Sequence, residues 1–149
     1  TEEFKSVLQG CPNTILTPHI GGSTEEAQSA IGLEVSDKLI KYVNTGPTTG
    51  AVNVPNVDIG GRLAEGFTRI VNFHKDVPGV MRAINEIVSI GNVSYQTLRT
   101  GGGIGYAIVD LEADDCGEVK NSLEKMEHSI RTFLFHQGPG YQGEVFQSA

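Results

Sequence analysis

The chain has 149 residues, with 11 Lys and Arg against 18 Asp and Glu and a formal net charge of −7 at pH 7. A surface that acidic disfavours sequence-independent binding to nucleic-acid phosphates or anionic lipid. No apolar run approaches the ~18–20 residues that span a bilayer, and the opening residues do not read as a signal peptide. Val, Ile, Leu and Phe lie above the roughly 20% floor below which disorder is expected, so one or two small folded domains are expected. Cys11 and Cys116 stand far apart with no partner motif. They read as free thiols in a cytoplasmic protein, not as a disulfide framework or a zinc site.

In chain order, residues 4–8 read as the end of a helix and Gly10–Asn13 as a turn. Thr14–Thr17 is a short β-branched strand stopped by Pro18. Ser23 with Glu26 three residues later forms a capping box. The helix it opens carries Ala27, Ile31, Val35, Leu39 and Val43 along one face and ends at Asn44–Pro47. One strand and one helix cannot cover that face. The expectation is that residues 1–55 belong to a larger fold whose other parts lie upstream. Pro47–Gly61 has no helical period and reads as an extended connection, with 56–66 as linker and Gly60-Gly61 as a flexible hinge.

Beyond the hinge the pattern is compact. Phe67–Phe73 predicts a strand, His74–Gly79 a turn, and Val80, Ile84, Ile87 and Val88 one face of a helix ending at Gly91. Val93–Arg99 and Tyr106–Glu112 are strands joined by a Gly101–Gly103 turn. Asp115 with Glu118 caps a second helix, with Val119, Leu123 and Met126 on its apolar face. Ile130–Phe135 is the last strand, and 137–149 reads as a mobile tail. The order βαββαβ over 67–136 is the α+β, ferredoxin-like arrangement with two helices on one face of an antiparallel sheet. Its second strand should form an edge guarded by a single charge, Arg99, and such an edge is expected to pair with a second copy.

Gly101–Gly105 superficially resembles a dinucleotide loop, but its glycines join two strands instead of opening a helix, which favours a hairpin. His19 follows a strand and precedes Gly21-Gly22 and a capped helix. It is either a loop histidine bonded to backbone or a general acid/base at a strand's C-terminal end. His74 and Asp76 lie ahead of a helix N-terminus whose amides could receive a carboxylate. Equally, Asp76 could be an N-cap and His74 a surface strand end. Asn92 could complete a polar pocket with them or hold a turn. Glu112, Asp114 and Asp115 read as a solvated acidic loop, without the recurrent spacing of metal ligands.

The stretch Asn13-Thr-Ile-Leu-Thr-Pro-His-Ile-Gly-Gly-Ser-Thr-Glu-Glu-Ala27, with Ile31–Val35, Lys38–Tyr42 and Ala51–Pro55, resembles the catalytic-histidine segment of the NAD-dependent D-2-hydroxyacid dehydrogenases, in the branch that oxidises 3-phosphoglycerate for serine biosynthesis. Residues 67–135, with His74-Lys-Asp-Val-Pro-Gly79 and Gly91-Asn92, resemble the ACT regulatory domain of that family. The resemblance implies that 1–55 is a strand-helix remnant of an α/β catalytic region. It implies that His19 exchanges the substrate's hydroxyl proton and that Gly21 and Gly22 line the NAD site. His74, Asp76 and Asn92 would bind L-serine or another amino-acid effector at an ACT–ACT homodimer interface. The family commonly has an amide where Asp76 stands, and a carboxylate there attracts an ammonium but repels the ligand's carboxylate. The coenzyme loop, the acidic partner of the histidine and the substrate-binding arginine would lie in a missing N-terminal catalytic region, so this chain alone is expected neither to bind NAD nor to turn over. The alternative is a stand-alone ACT-type module for ligand binding or dimerisation.

Overall fold

The computed structural model describes residues 4–59, 63–113 and 115–136. They fall into two compact units divided between Asp37 and Lys38.

In the upstream unit, the helix end expected over 4–8 is instead a turn over 7–10. Residues 14–17 form no strand. They are exposed, and an extended segment without a partner strand has no ladder to hold it. Helix α1 runs Glu25–Thr45 across the division. Its cap is Thr24, not Ser23: the Ala27 N–H donates to Thr24 Oγ1 at 3.1 Å, while the Ser23 N–H is taken by the Ile20 carbonyl at 2.9 Å. Glu25 and Glu26 in the first turn suit its positive N-terminal end. No residue of α1 is buried, and the predicted stripe stands open, from 44% exposure at Ile31 to 67% at Val43.

The downstream unit holds β1 (Thr68–Lys75), α2 (Val80–Val88), β2 (Asn92–Gly101), β3 (Ile104–Glu112), α3 (Cys116–Lys125) and β4 (Ser129–His136). The four strands form one antiparallel sheet in the order β2-β3-β1-β4. This is the ferredoxin-like α+β fold expected, with β2 at an edge. Helix α2 starts after Pro78 and Gly79, whose left-handed φ of 93° suits glycine, and buries Val80, Ile84 and Val88 at i, i+4 and i+8. Helix α3 is capped by the Asp115 side chain, which accepts from the Glu118 N–H at 3.0 Å, and it buries Cys116, Val119 and Leu123. These two helices meet Ile70, Ala107, Val109 and Leu111 on one face of the sheet.

Alternation places Val71, Tyr106 and Ile108 on the other face. That face is covered by the chain's own residues 46–59. The extended connection expected there is, up to Ile59, a loop closed on itself. Thr48 Oγ1 donates to the Pro55 carbonyl at 2.7 Å and accepts from the Val57 N–H at 2.9 Å, while the Thr48 N–H donates to the Val57 carbonyl at 2.9 Å. The loop turns Val57, 3% exposed, onto Val71, Tyr106 and Ile108. Burying one such side chain contributes roughly 1.5–3 kcal/mol. Beneath the loop, Arg69 and Asp110 make a bidentate buried pair at 2.6 and 2.7 Å, and Arg69 Nη1 donates to the Thr45 carbonyl at 3.2 Å. The Tyr106 hydroxyl donates to the Gly46 carbonyl. A cation and a phenol thus satisfy carbonyls at the C-terminal end of α1.

Candidate functional site

His74 belongs to β1, not to the turn in which sequence placed it. The strand continues to Lys75 because His74 pairs in register with Gly105 of β3 and Ser129 of β4. Its ring lies on the helix-covered face, 2% exposed, and Nδ1 is 3.0 Å from Asn72 Oδ1. Burial lowers the imidazole's pKa, opposed by the Asn72 backbone and the Asp76 charge. Gly105 is what admits the ring: a Cβ there would stand 2.1 Å from Nε2.

Asp76 follows at the end of the strand, with an exposed side chain and a backbone N–H donating to the Gly103 carbonyl at 2.9 Å. It is not the cap of α2, because Gly79 holds that position without a side-chain bond. The first turn of α2 therefore keeps backbone donors that no side chain caps, at the same end of the sheet as His74 and Asp76.

Asn92 does not join them within one chain. It opens β2 opposite Glu112, with Nδ2 3.5 Å from Glu112 Oε2, whereas His74 sits opposite Gly105 at the other end of β3. The seven-residue offset along β3 is roughly 23 Å at ~3.3 Å per residue. Among the described residues no strand pairs with the outer edge of β2, and most of its side chains are exposed.

His19 and Gly21 are exposed in the upstream unit, and Gly22 is half-buried, where a Cβ would stand 3.6 Å from Ile31 Cδ1. Gly60, Gly61 and Asp114 and the 137–149 tail lie outside the described residues. Gly102 and Gly103, with φ of 61° and 79°, turn β2 into β3, so the glycine cluster closes a hairpin and not a dinucleotide loop. Among the described residues no cluster of His, Cys, Asp and Glu could hold a metal, and no helix is long and apolar enough to cross a membrane.

Sequence reasoning missed Asn72. A polar residue two places before His74 in a β-branched strand shares its face, and that spacing is the signal that could have found it.

No family model matches the chain. Among curated proteins, it is 47% identical over 135 residues to a D-3-phosphoglycerate dehydrogenase of Dictyostelium discoideum, covering 91% of this chain and 33% of that protein. It is 45% identical over 143 residues to the Escherichia coli K12 protein of that name, at the same two coverages. It is 42% identical over 128 residues to D-3-phosphoglycerate dehydrogenase 2 of Saccharomyces cerevisiae, covering 85% of this chain and 27% of that protein. A solved ACT domain from the GTP pyrophosphokinase of Chlorobium tepidum superimposes with TM-score 0.43 and 15% identity, over 46% of this chain and 96% of that one. The chain spans about a third of the length of the first of these curated relatives. At 41–47% identity over 85–91% of its length, the chain is similar to D-3-phosphoglycerate dehydrogenases, and its downstream unit has a ferredoxin-like α+β fold.

Proposed function

We propose that the chain is the regulatory portion of an NAD-dependent D-3-phosphoglycerate dehydrogenase, together with its catalytic-histidine segment. The observation that carries this reading is the identity to three-fold longer dehydrogenases over nine-tenths of the chain. In the whole enzyme, 1–55 would belong to the catalytic region, 56–66 to the hinge with Gly60 and Gly61, and 67–136 to the regulatory domain, with 137–149 as a tail. His19 would exchange the hydroxyl proton of the substrate, with Gly21 and Gly22 beside it, and the open stripe of α1 would face other polypeptide of the enzyme. The cluster Gly101–Gly105 closes a hairpin and takes no part in holding a dinucleotide in this reading. No step through the cofactor is assigned to this chain. The reading carries with it a cytoplasmic setting and no nucleic-acid or membrane partner.

The regulatory ligand is proposed to be an amino acid, L-serine or another. Its ammonium would meet Asp76 and its carboxylate the first-turn amides of α2. The site would be shared between two copies. Antiparallel pairing of two β2 edges about a two-fold axis carries Asn92 of the second copy to the Gly101 end of the first. That is the end where His74 and Asp76 stand. Such binding would bias the hinge through domain rotation. The self-contained core of the downstream unit favours a second reading, a ligand-binding module with no catalytic role. An in-frame dinucleotide-binding unit in the native gene would support the dehydrogenase reading, and its absence the module.

Titration calorimetry with L-serine tests the site. Heat at millimolar ligand is expected, with weaker binding in Asp76→Asn, because an amide no longer attracts the ammonium. No heat in either protein would remove serine as the ligand.

A further inference from the structure

We propose that Asn72 fixes the tautomer of His74 and so makes Nε2 a hydrogen-bond acceptor, selecting the donor end of a ligand, an ammonium or hydroxyl, over its carboxylate. The ligand part of this inference rests on His74 being an effector contact; the tautomer part does not.

Asn72 is 2% exposed, and its amide nitrogen faces β4, 2.9 Å from Ser129 Oγ, 2.9 Å from Thr132 Oγ1 and 3.5 Å from the Arg131 carbonyl. The two hydroxyls would tolerate either end of the amide. A carbonyl only accepts, so the nitrogen must be on that side. Oδ1 is then the atom 3.0 Å from His74 Nδ1, and an amide oxygen can only accept. Nδ1 therefore carries the proton. A neutral imidazole has only one, which leaves a lone pair on Nε2, and burial favours the neutral ring.

Nε2 also has access. Among the described residues, every fully buried side-chain nitrogen or oxygen has a partner, and Nε2 has none, so it retains a patch of surface although the residue is 2% exposed. Gly105 gives the ring its place, since a Cβ there would stand 2.1 Å from Nε2. The Asp76 carboxylate acts on the same ring and adds to the preference for a cationic donor. In water the Nε2–H tautomer is the commoner form, so an Nδ1–H ring is one the protein has to enforce.

Long-range ¹⁵N–¹H correlation spectra of the whole chain at neutral pH read the tautomer without any ligand. The expected result is a protonated Nδ1 and a bare Nε2. An Nε2–H ring overturns the proposal whether or not serine binds, whereas failure of the effector reading appears separately as absence of heat. Asn72→Leu is expected to lose the Nδ1–H form, and an unchanged tautomer would overturn the role of Asn72. Asn72→Asp keeps an acceptor oxygen and is expected to keep the Nδ1–H form; should the leucine variant not fold, a reversed tautomer in the aspartate variant overturns the proposal. With L-serine bound, the Nε2 resonance should shift, and an unmoved Nε2 in a saturated protein would refute its use as an acceptor.

Discussion

Gly105 stands opposite His74 in the β1–β3 ladder, so close that a methyl group on it would lie 2.1 Å from Nε2. The ring cannot swing aside freely, because Asn72 holds Nδ1 and the residue is buried. Gly105→Ala is therefore expected to destabilise the fold by about 1–3 kcal/mol, the range for overpacking a core. Urea denaturation reads the loss. Adding His74→Ala to Gly105→Ala should return part of it, because the clash has then lost one partner. No recovery in the double variant would show that the strain lies elsewhere.

The Arg69–Asp110 pair responds asymmetrically to mutation. Both side chains are under a tenth exposed and joined by two short hydrogen bonds. Asp110→Ala leaves a buried guanidinium unpaired and is expected to cost about 3–5 kcal/mol. Replacing both residues, Arg69→Met with Asp110→Leu, should cost far less than the single change. Chemical denaturation of the three proteins checks the order.

The Tyr106 phenol joins β3 to the end of α1 through the Gly46 carbonyl. Tyr106→Phe leaves that buried acceptor without its donor, at an expected cost of about 1–3 kcal/mol. Burial raises the phenol's pKa, with Tyr42 adding to the rise and Arg69 opposing it. The unfolded phenol therefore ionises first as pH rises. Its contribution is intact below the usual tyrosine pKa of ~10 and is lost above it. Stability measured from pH 9 to 11 should fall less steeply in Tyr106→Phe than in the parent.

His74 behaves in the opposite sense. Its pKa is lowered by burial, so below the ordinary histidine value of ~6.5 the unfolded chain binds the proton that the folded one resists. The contribution is complete above that value and declines as pH falls beneath it. Thermal unfolding between pH 7.5 and 5 should show a decline that His74→Gln reduces. Equal declines in the two proteins would remove His74 as its source.

The downstream fold was legible because its signals agree. Val80, Ile84 and Val88 keep helical spacing, Asp115 caps α3, and glycines turn β2 into β3. The upstream reading failed at 14–17 because β-branched residues make a strand only where another strand accepts their hydrogen bonds. The loop over 46–59 was missed because its closure comes from Thr48 reaching Pro55 and Val57, contacts with no periodic trace. Of the candidate site, the side-by-side placement of His74 and Asp76 was visible in the sequence. The separation of Asn92 was not, since it follows from strand register, and neither was the pairing of His74 with Gly105 across 31 residues.

The proposed two-copy site makes a specific demand. Asp76→Arg and Asn92→Leu both alter exposed side chains and should each abolish serine binding by disabling opposite halves of the pocket. Mixed in equal amounts and allowed to exchange, the two variants form mixed dimers in which one pocket is wholly native and the other doubly altered. Calorimetric titration of the mixture should then recover about a quarter of the parental number of binding sites. A mixture that binds no better than its components, from variants shown to exchange into mixed dimers, would contradict a pocket built from two copies.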